Sequence, residues 1–170
     1  MPPLSPDSEL ARLMARFPRA GEVAWIGLRP GRHAAMDAVD AVEAVAGRGL
    51  VGDRYASASG KRGVTLIQAE HLAAIASLAG HAGVAPATLR RNVVVRWIPL
   101  LALKDRRFRI GAVLLQGTGP CEPCSQMEAA LGTGGYNAMR GMGGICARIV
   151  EGGTLRVGDA VQAIDGDMPA

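Results

Sequence analysis

Period-two alternation of apolar and polar positions recurs along the chain from residue 22 onward. Val23, Trp25 and Leu28 alternate with smaller or polar neighbours and predict a strand over 22–28. A second strand is expected over 39–45, although its Ala and Glu content leaves helix open there. Val64 to Gln68 reads as a buried strand, and the β-branched run Val93-Val94-Val95 as another. Residues 108–116 predict one strand with Gly111 as a bulge. Residues 145–150 and 154–164 predict two strands joined as a hairpin at Glu151-Gly152-Gly153.

Helical spacing appears in four places. Leu10, Leu13, Met14 and Phe17 follow a start signal at Ser5-Pro6-Asp7 and predict an amphipathic helix over 7–17, ended by Pro18. Leu72, Ile75, Ala76 and Ala79 predict a helix over 69–78, with His71 facing away from the stripe and exposed. A further helix should start near Pro86 and run into Arg90-Arg91-Asn92. Met127 and Leu131 give a short helix one apolar face, and Gly132 ends it. Between these elements, Arg29 to His33 is a loop, and Gly47, Gly49 and Gly52 permit tight turns that display Asp53 and Arg54. An ordinary turn in which Asp53 bonds its own backbone is the alternative. Residues 56–62 are small, polar and basic, as expected of a mobile loop.

A chain of 170 residues suits one domain, 1–170, with a core over 21–164 and a helical extension over 1–20. Aromatic residues are few, so the core is built from small aliphatic side chains. The charge of +4 is carried almost wholly by arginine, since Lys61 and Lys104 are the only lysines. Arginine suits bidentate recognition of phosphate or carboxylate, and a general compositional bias toward arginine is the alternative. No segment approaches the ~20 apolar residues that cross a bilayer, and no signal-peptide pattern opens the chain, so a cytoplasmic protein without a membrane partner is expected. A nucleic-acid partner is not expected either, because no aromatic platform accompanies the basic charge.

The three cysteines, Cys121, Cys124 and Cys146, fall within one glycine-rich stretch. Their odd number fits a reducing compartment better than a disulfide framework. Ser125 and Glu128 match a capping box, which places Cys124 just before a helix N-terminus. A thiol at the positive end of a helix has its thiolate favoured, and thiolates attack electrophiles and bind soft metals. Cys124 is therefore the candidate reactive residue, and burial as a small apolar side chain is the alternative. Cys121-Glu122-Pro123-Cys124 also fits a redox dithiol or half a zinc site. No second ligand pair stands at metal spacing, so zinc is not expected.

Several blocks then occur in a telling order: Gly49-Leu-Val-Gly-Asp-Arg54, Val64-Thr-Leu-Ile67 with Glu70, Arg90-Arg-Asn92, Gly111, Pro123-Cys124, Ala138-Met-Arg-Gly141 and Gly153-Thr-Leu-Arg-Val-Gly-Asp159. Together they resemble the MOSC domain, the C-terminal domain of molybdenum cofactor sulfurases and its stand-alone bacterial relatives. The resemblance implies a mainly β fold built round a barrel with a few packed helices, in agreement with the strands read above. It also implies a cysteine that carries sulfur or ligates molybdenum, and Cys124 matches that position. The chain lacks the blocks of the pyridoxal-phosphate desulfurase domain and of the extra β domain of amidoxime-reducing relatives. Sulfur would then come from a separate donor, a cysteine desulfurase, or electrons from a separate reductase. Lys61-Arg62-Gly63 stands where relatives more often have Arg-Gln.

On this reading the cofactor is the molybdenum cofactor, a molybdopterin, with Cys124 as catalytic persulfide carrier or molybdenum ligand. Asp53, Arg54, Arg62, Arg91, Asn92 and Arg140 are its expected binding residues. Arg54, Arg91 and Arg140 would meet phosphate or pterin edges, Asn92 would bond the pterin, and the glycines from Gly132 to Gly144 would admit an anion to the backbone. In a sulfur relay, Cys121 would resolve the persulfide. Sulfur transfer, reduction of N-hydroxylated compounds, and a non-catalytic carrier module for cofactor or sulfur are the functions this implies.

Overall fold

Seven strands close on themselves in the computed structural model, which describes residue 5 and residues 7–55 and 59–164. In chain order the elements are α1 (Glu9–Met14), β1 (Gly21–Leu28), β2 (Asp37–Val39), β3 (Ala41–Val45), β4 (Gly49–Leu50), β5 (Val64–Gln68) and α2 (Ala69–Ala79). They continue with β6 (Val93–Arg96), β7 (Arg107–Ile110), β8 (Val113–Pro120), α3 (Ser125–Leu131), α4 (Gly135–Met139), β9 (Ile145–Glu151), β10 (Gly153–Arg156) and β11 (Ala160–Ala163). The ring runs β11-β7-β8-β9-β5-β6-β1 and closes through Gly21 opposite Val161. Strand β2 hangs on β1 outside the ring, and β10-β3-β4 form a small second sheet. The expected mainly β barrel with packed helices is the fold observed.

The buried strands show why the apolar runs were continuous. On β5 and β6, Val64, Leu66, Val93 and Val95 point into the barrel with Val23, Phe108, Ile110, Leu115 and Ile149. Ile67 and Val94 point outward and meet Ile75, Leu89, Met127, Leu131 and Met139 from the helices. A strand covered on both faces loses its alternation. Strands β5 and β6 are parallel, which requires a crossover, and α2 supplies it across the outer face.

Several predicted elements are divided or shortened. The 39–45 strand is two, β2 and β3, in different sheets. Residues 108–116 are a hairpin in which Ile110 pairs with Val113. Gly111 takes φ 54° in its turn, and an added Cβ there would lie 2.8 Å from Asp159 Oδ2. No hairpin joins β9 to β10. One residue, Gly152, separates them, too few for a reversal, and β10 pairs with β3 instead. The helix expected at Pro86 is a single 3-10 turn, Pro86–Leu89, closed by Arg90 in the left-handed region. His71 is half-buried and its Nδ1 has no hydrogen-bond partner.

Helix α1 inverts its expected face. Ala11 is its buried residue, while Leu10, Leu13 and Met14 are exposed, Leu13 by 55%. Periodicity identified the apolar stripe but not which side docks, and the small Ala11 allows the closer approach. Residues 56–58, part of the expected mobile loop, lie outside the described residues. No described helix is long and apolar enough to cross a membrane.

Candidate functional site

Strand β8 ends at Pro120, and Cys121 N–H donates to Gly144 O at 2.8 Å, so the cysteine loop begins pinned to the chain that enters β9. Cys124 is the N-cap of α3, and its carbonyl accepts from Met127 N–H at 2.8 Å. The expected capping box does not form: Ser125 is the first helical residue, and no side chain caps this end. Glu128 reaches forward, accepting from Gly134 and Tyr136 N–H at 2.8 and 2.7 Å. Those bonds, Tyr136 first, hold its carboxyl below the usual range. They leave the Cys124 sulfur uncommitted and exposed, whereas Cys121 and Cys146 are buried; all three are free thiols.

Arg91 holds the loop from behind. Its guanidinium is buried and donates to the carbonyls of Gly143 (2.9 Å), Leu89 (2.9 Å), Cys121 (3.0 Å) and Glu122 (3.3 Å). Gly143 makes this approach possible, since a Cβ there would lie 2.1 Å from Cys121 O. Gly143 and Gly144 therefore fit against protein carbonyls, and in this structure Arg91 positions the loop rather than presenting donors to the cleft.

Asn92 and Asp53 form a second buried knot. Asp53 accepts from Arg29 N–H, Nε and Nη2 at 2.7, 3.0 and 2.8 Å, and from Tyr55 N–H at 3.2 Å. Burial raises the Asp53 carboxyl, but the Arg29 bonds and charge more than offset it, and it stays below the usual carboxylate range. Asn92 donates to Gly27 O and Asp53 Oδ1, and its oxygen accepts from Thr65 and Arg29. Asp53 thus bonds a backbone amide two residues on, as the turn alternative required, and its main partner is Arg29. Sequence reading missed Arg29, because it lies 24 residues from Asp53 in a loop without a pattern.

Beside Cys124 lies a cleft of about 440 Å³ lined by Lys61, Arg62, Thr118, Pro120, Cys146 and Cys124 among others. Arg62 is exposed on its wall and comes within 4.0 Å of Cys121 Sγ. A hydrogen bond from Cys146 is the largest influence on Cys121; burial opposes it, Arg91 and Arg62 reinforce it, and the thiol is lowered to about 6. Cys146 is pushed up by the same bond and by burial, and so stays the neutral donor. Cys121 is the ionising member of that pair, and the signal available for it in sequence was its place in the Cys-x-x-Cys run. The structure thus brings Cys124 and Arg62 together, with Arg91 behind them. Arg54 and Arg140 are exposed and do not line this cleft. No three His, Cys, Asp or Glu side chains gather as a metal site among the described residues.

The closed barrel with its outer helices is a fold shared with solved bacterial proteins. YuaD from Bacillus subtilis superposes with a TM-score of 0.76 over 87% of this chain and 98% of its own, at 17% identity. YiiM from Geobacillus stearothermophilus gives 0.69 at 14% identity, over 85% of this chain and 75% of its own. YiiM from Escherichia coli gives 0.66 at 19% identity, over 86% and 70%. At such identities the likeness is one of fold. The sequence itself matches the MOSC domain over residues 50–162, and the chain belongs to that family. A comparison with curated proteins finds no match.

Proposed function

We propose that the cleft binds a phosphate-bearing cofactor of the molybdopterin type, with Cys124 as its soft ligand. The observation that supports this is the pairing of an exposed, uncapped thiol with two cations, Lys61 and Arg62, on one wall. The donor set fits such a group: a thiolate suits a thiophilic metal, and the guanidinium and ammonium suit a phosphate dianion. Arg62 and Lys61 would hold the anion, and Cys124 would hold the metal. Arg91 and the Asp53–Asn92–Arg29 knot would fix the walls. When bound, the group would supply two-electron redox chemistry at its metal, with electrons from a separate reductase.

Sulfur carriage is the second reading, favoured by Cys146 in the same wall, with which buried Cys121 is hydrogen-bonded. In it, Cys124 thiolate attacks the terminal sulfur of a donor persulfide, the new S–S bond forms, and the donor leaves as thiolate, with no net oxidation. Molybdenum and pterin content of the purified protein, measured beside Cys124→Ser, separates the two. Loss of metal in the variant supports ligation, and equal metal in both refutes it. An added sulfur on the Cys124 peptide in non-reducing mass analysis supports carriage.

A further inference from the structure

The cysteine cleft continues past Lys61. Lys61 and Thr118 also line a larger cavity of about 740 Å³, with Arg107, Gln116, Arg148 and Val150 on its walls. Strand register puts three of these in one row, Arg107 opposite Gln116 and Gln116 opposite Arg148. Directly opposed residues of antiparallel strands project from the same face. With strands ~4.8 Å apart, the two arginine positions stand about 10 Å from each other across an uncharged amide.

Two cations of this surface, Arg148 and Lys61, are not offset by a carboxylate among the described residues. Asp105, the acidic residue of the lining, is already paired with Lys104. Cations gathered round a concavity favour a bound anion, and guanidinium groups suit phosphate in particular. The cavity is too large for a lone phosphate and falls within the ~300–1,000 Å³ of small-molecule sites. Val150, 36% exposed, offers an apolar contact, and Gln116, whose Nε2 donates to Gly117 O at 3.2 Å, offers its amide oxygen to a base edge.

We propose that this cavity is a binding site for a nucleoside diphosphate, its phosphates held by Arg148 and Lys61. The site stands on the cavity and its charge, and does not require the molybdenum reading. Because Lys61 borders both cavities, a ligand whose reactive end meets Cys124 can carry a nucleotide end here.

Calorimetric titration of the purified protein with ADP, inorganic pyrophosphate and adenosine at low salt tests it. Saturable ADP binding, tighter than pyrophosphate and weakened about tenfold or more by Arg148→Glu, is the expected result. Arg12→Glu, on α1, serves as the surface-charge control and leaves affinity unchanged, as does Cys124→Ser. A thermal melt establishes that Arg148→Glu is folded; should it not be, Arg148→Gln is titrated instead, with the same loss expected. Absence of saturable ADP binding, or equal affinity in wild type and the folded Arg148 variant, overturns the site. Equal affinity for pyrophosphate and ADP overturns the nucleoside part. Affinity that grows with the length of an oligonucleotide overturns it in favour of a nucleic-acid groove.

Discussion

Replacing Arg91 by methionine keeps most of the side-chain volume and removes the guanidinium. Four carbonyls, of Gly143, Leu89, Cys121 and Glu122, then lose a charged donor at 2.9, 2.9, 3.0 and 3.3 Å. At ~1.5–3 kcal/mol for each bond to a charged group, simple addition gives roughly 6–12 kcal/mol. Addition overstates the loss, because the four bonds share one side chain and Glu122 is at the surface. A loss of about 3–5 kcal/mol is expected, the range for breaking a buried charged network. With a urea slope of about 2 kcal/mol/M, that moves the unfolding midpoint down by about 2 M. Arg91→Lys should recover only part of it, since an ammonium cannot span the same fork. Exposed Arg140→Met is the control, expected within about 0.5 kcal/mol of wild type. An Arg91→Met protein within about 1 kcal/mol of wild type would refute the anchoring argument.

Asp53→Asn should destabilise the fold by about 3–5 kcal/mol and flatten its acid limb. Because the Asp53 carboxyl is lowered in the folded state, its contribution is complete above the ordinary carboxylate value and is lost as pH falls through the lowered one; urea midpoints at descending pH give the comparison. Cys121 should show a thiolate absorbance step at about pH 6 in a Cys124→Ser background, and Cys121→Ala should abolish it; a step that survives the alanine assigns it elsewhere. Gly144→Ala should cost more than about 3 kcal/mol or prevent folding, because its Cβ would fall 1.8 Å from Leu66 O at φ 90°. Gly141→Ala, at φ 77° with open space around it, should cost only about 1–2 kcal/mol, and similar melting temperatures for the two would contradict the packing account.

Much of the barrel was legible because its strands carry their burial in side-chain type. Val64 to Gln68, the Val93 run and residues 22–28 appear close to where pattern placed them. What pattern could not supply was partnership. Gly111 signals a change of direction, but the reversal shows only in the pairing of Ile110 with Val113 and in the Asp159 side chain packed over the turn, both contacts made outside the motif itself. Gly152 and Gly153 look like a hairpin in one dimension, yet Gly153 pairs with Ala44 of β3, and Gly152 passes so close that an added Cβ would lie 2.5 Å from Ala44 O. Near the cleft, motif order pointed to Cys124, Arg91 and Asn92, whereas Arg62 fell in the block that departs from the pattern. The division of labour among them rests on carbonyls and on Arg29, contacts that residue type alone does not encode.

The passage at Gly152 has one more implication. Strand β9 carries Cys146 and Arg148, and after a single glycine the same run of chain becomes an edge of the three-stranded sheet. A protein that gripped that sheet would be holding the far end of a short rod whose near end forms a wall of both clefts. A load on the small sheet and the position of the cleft walls are thereby mechanically in series.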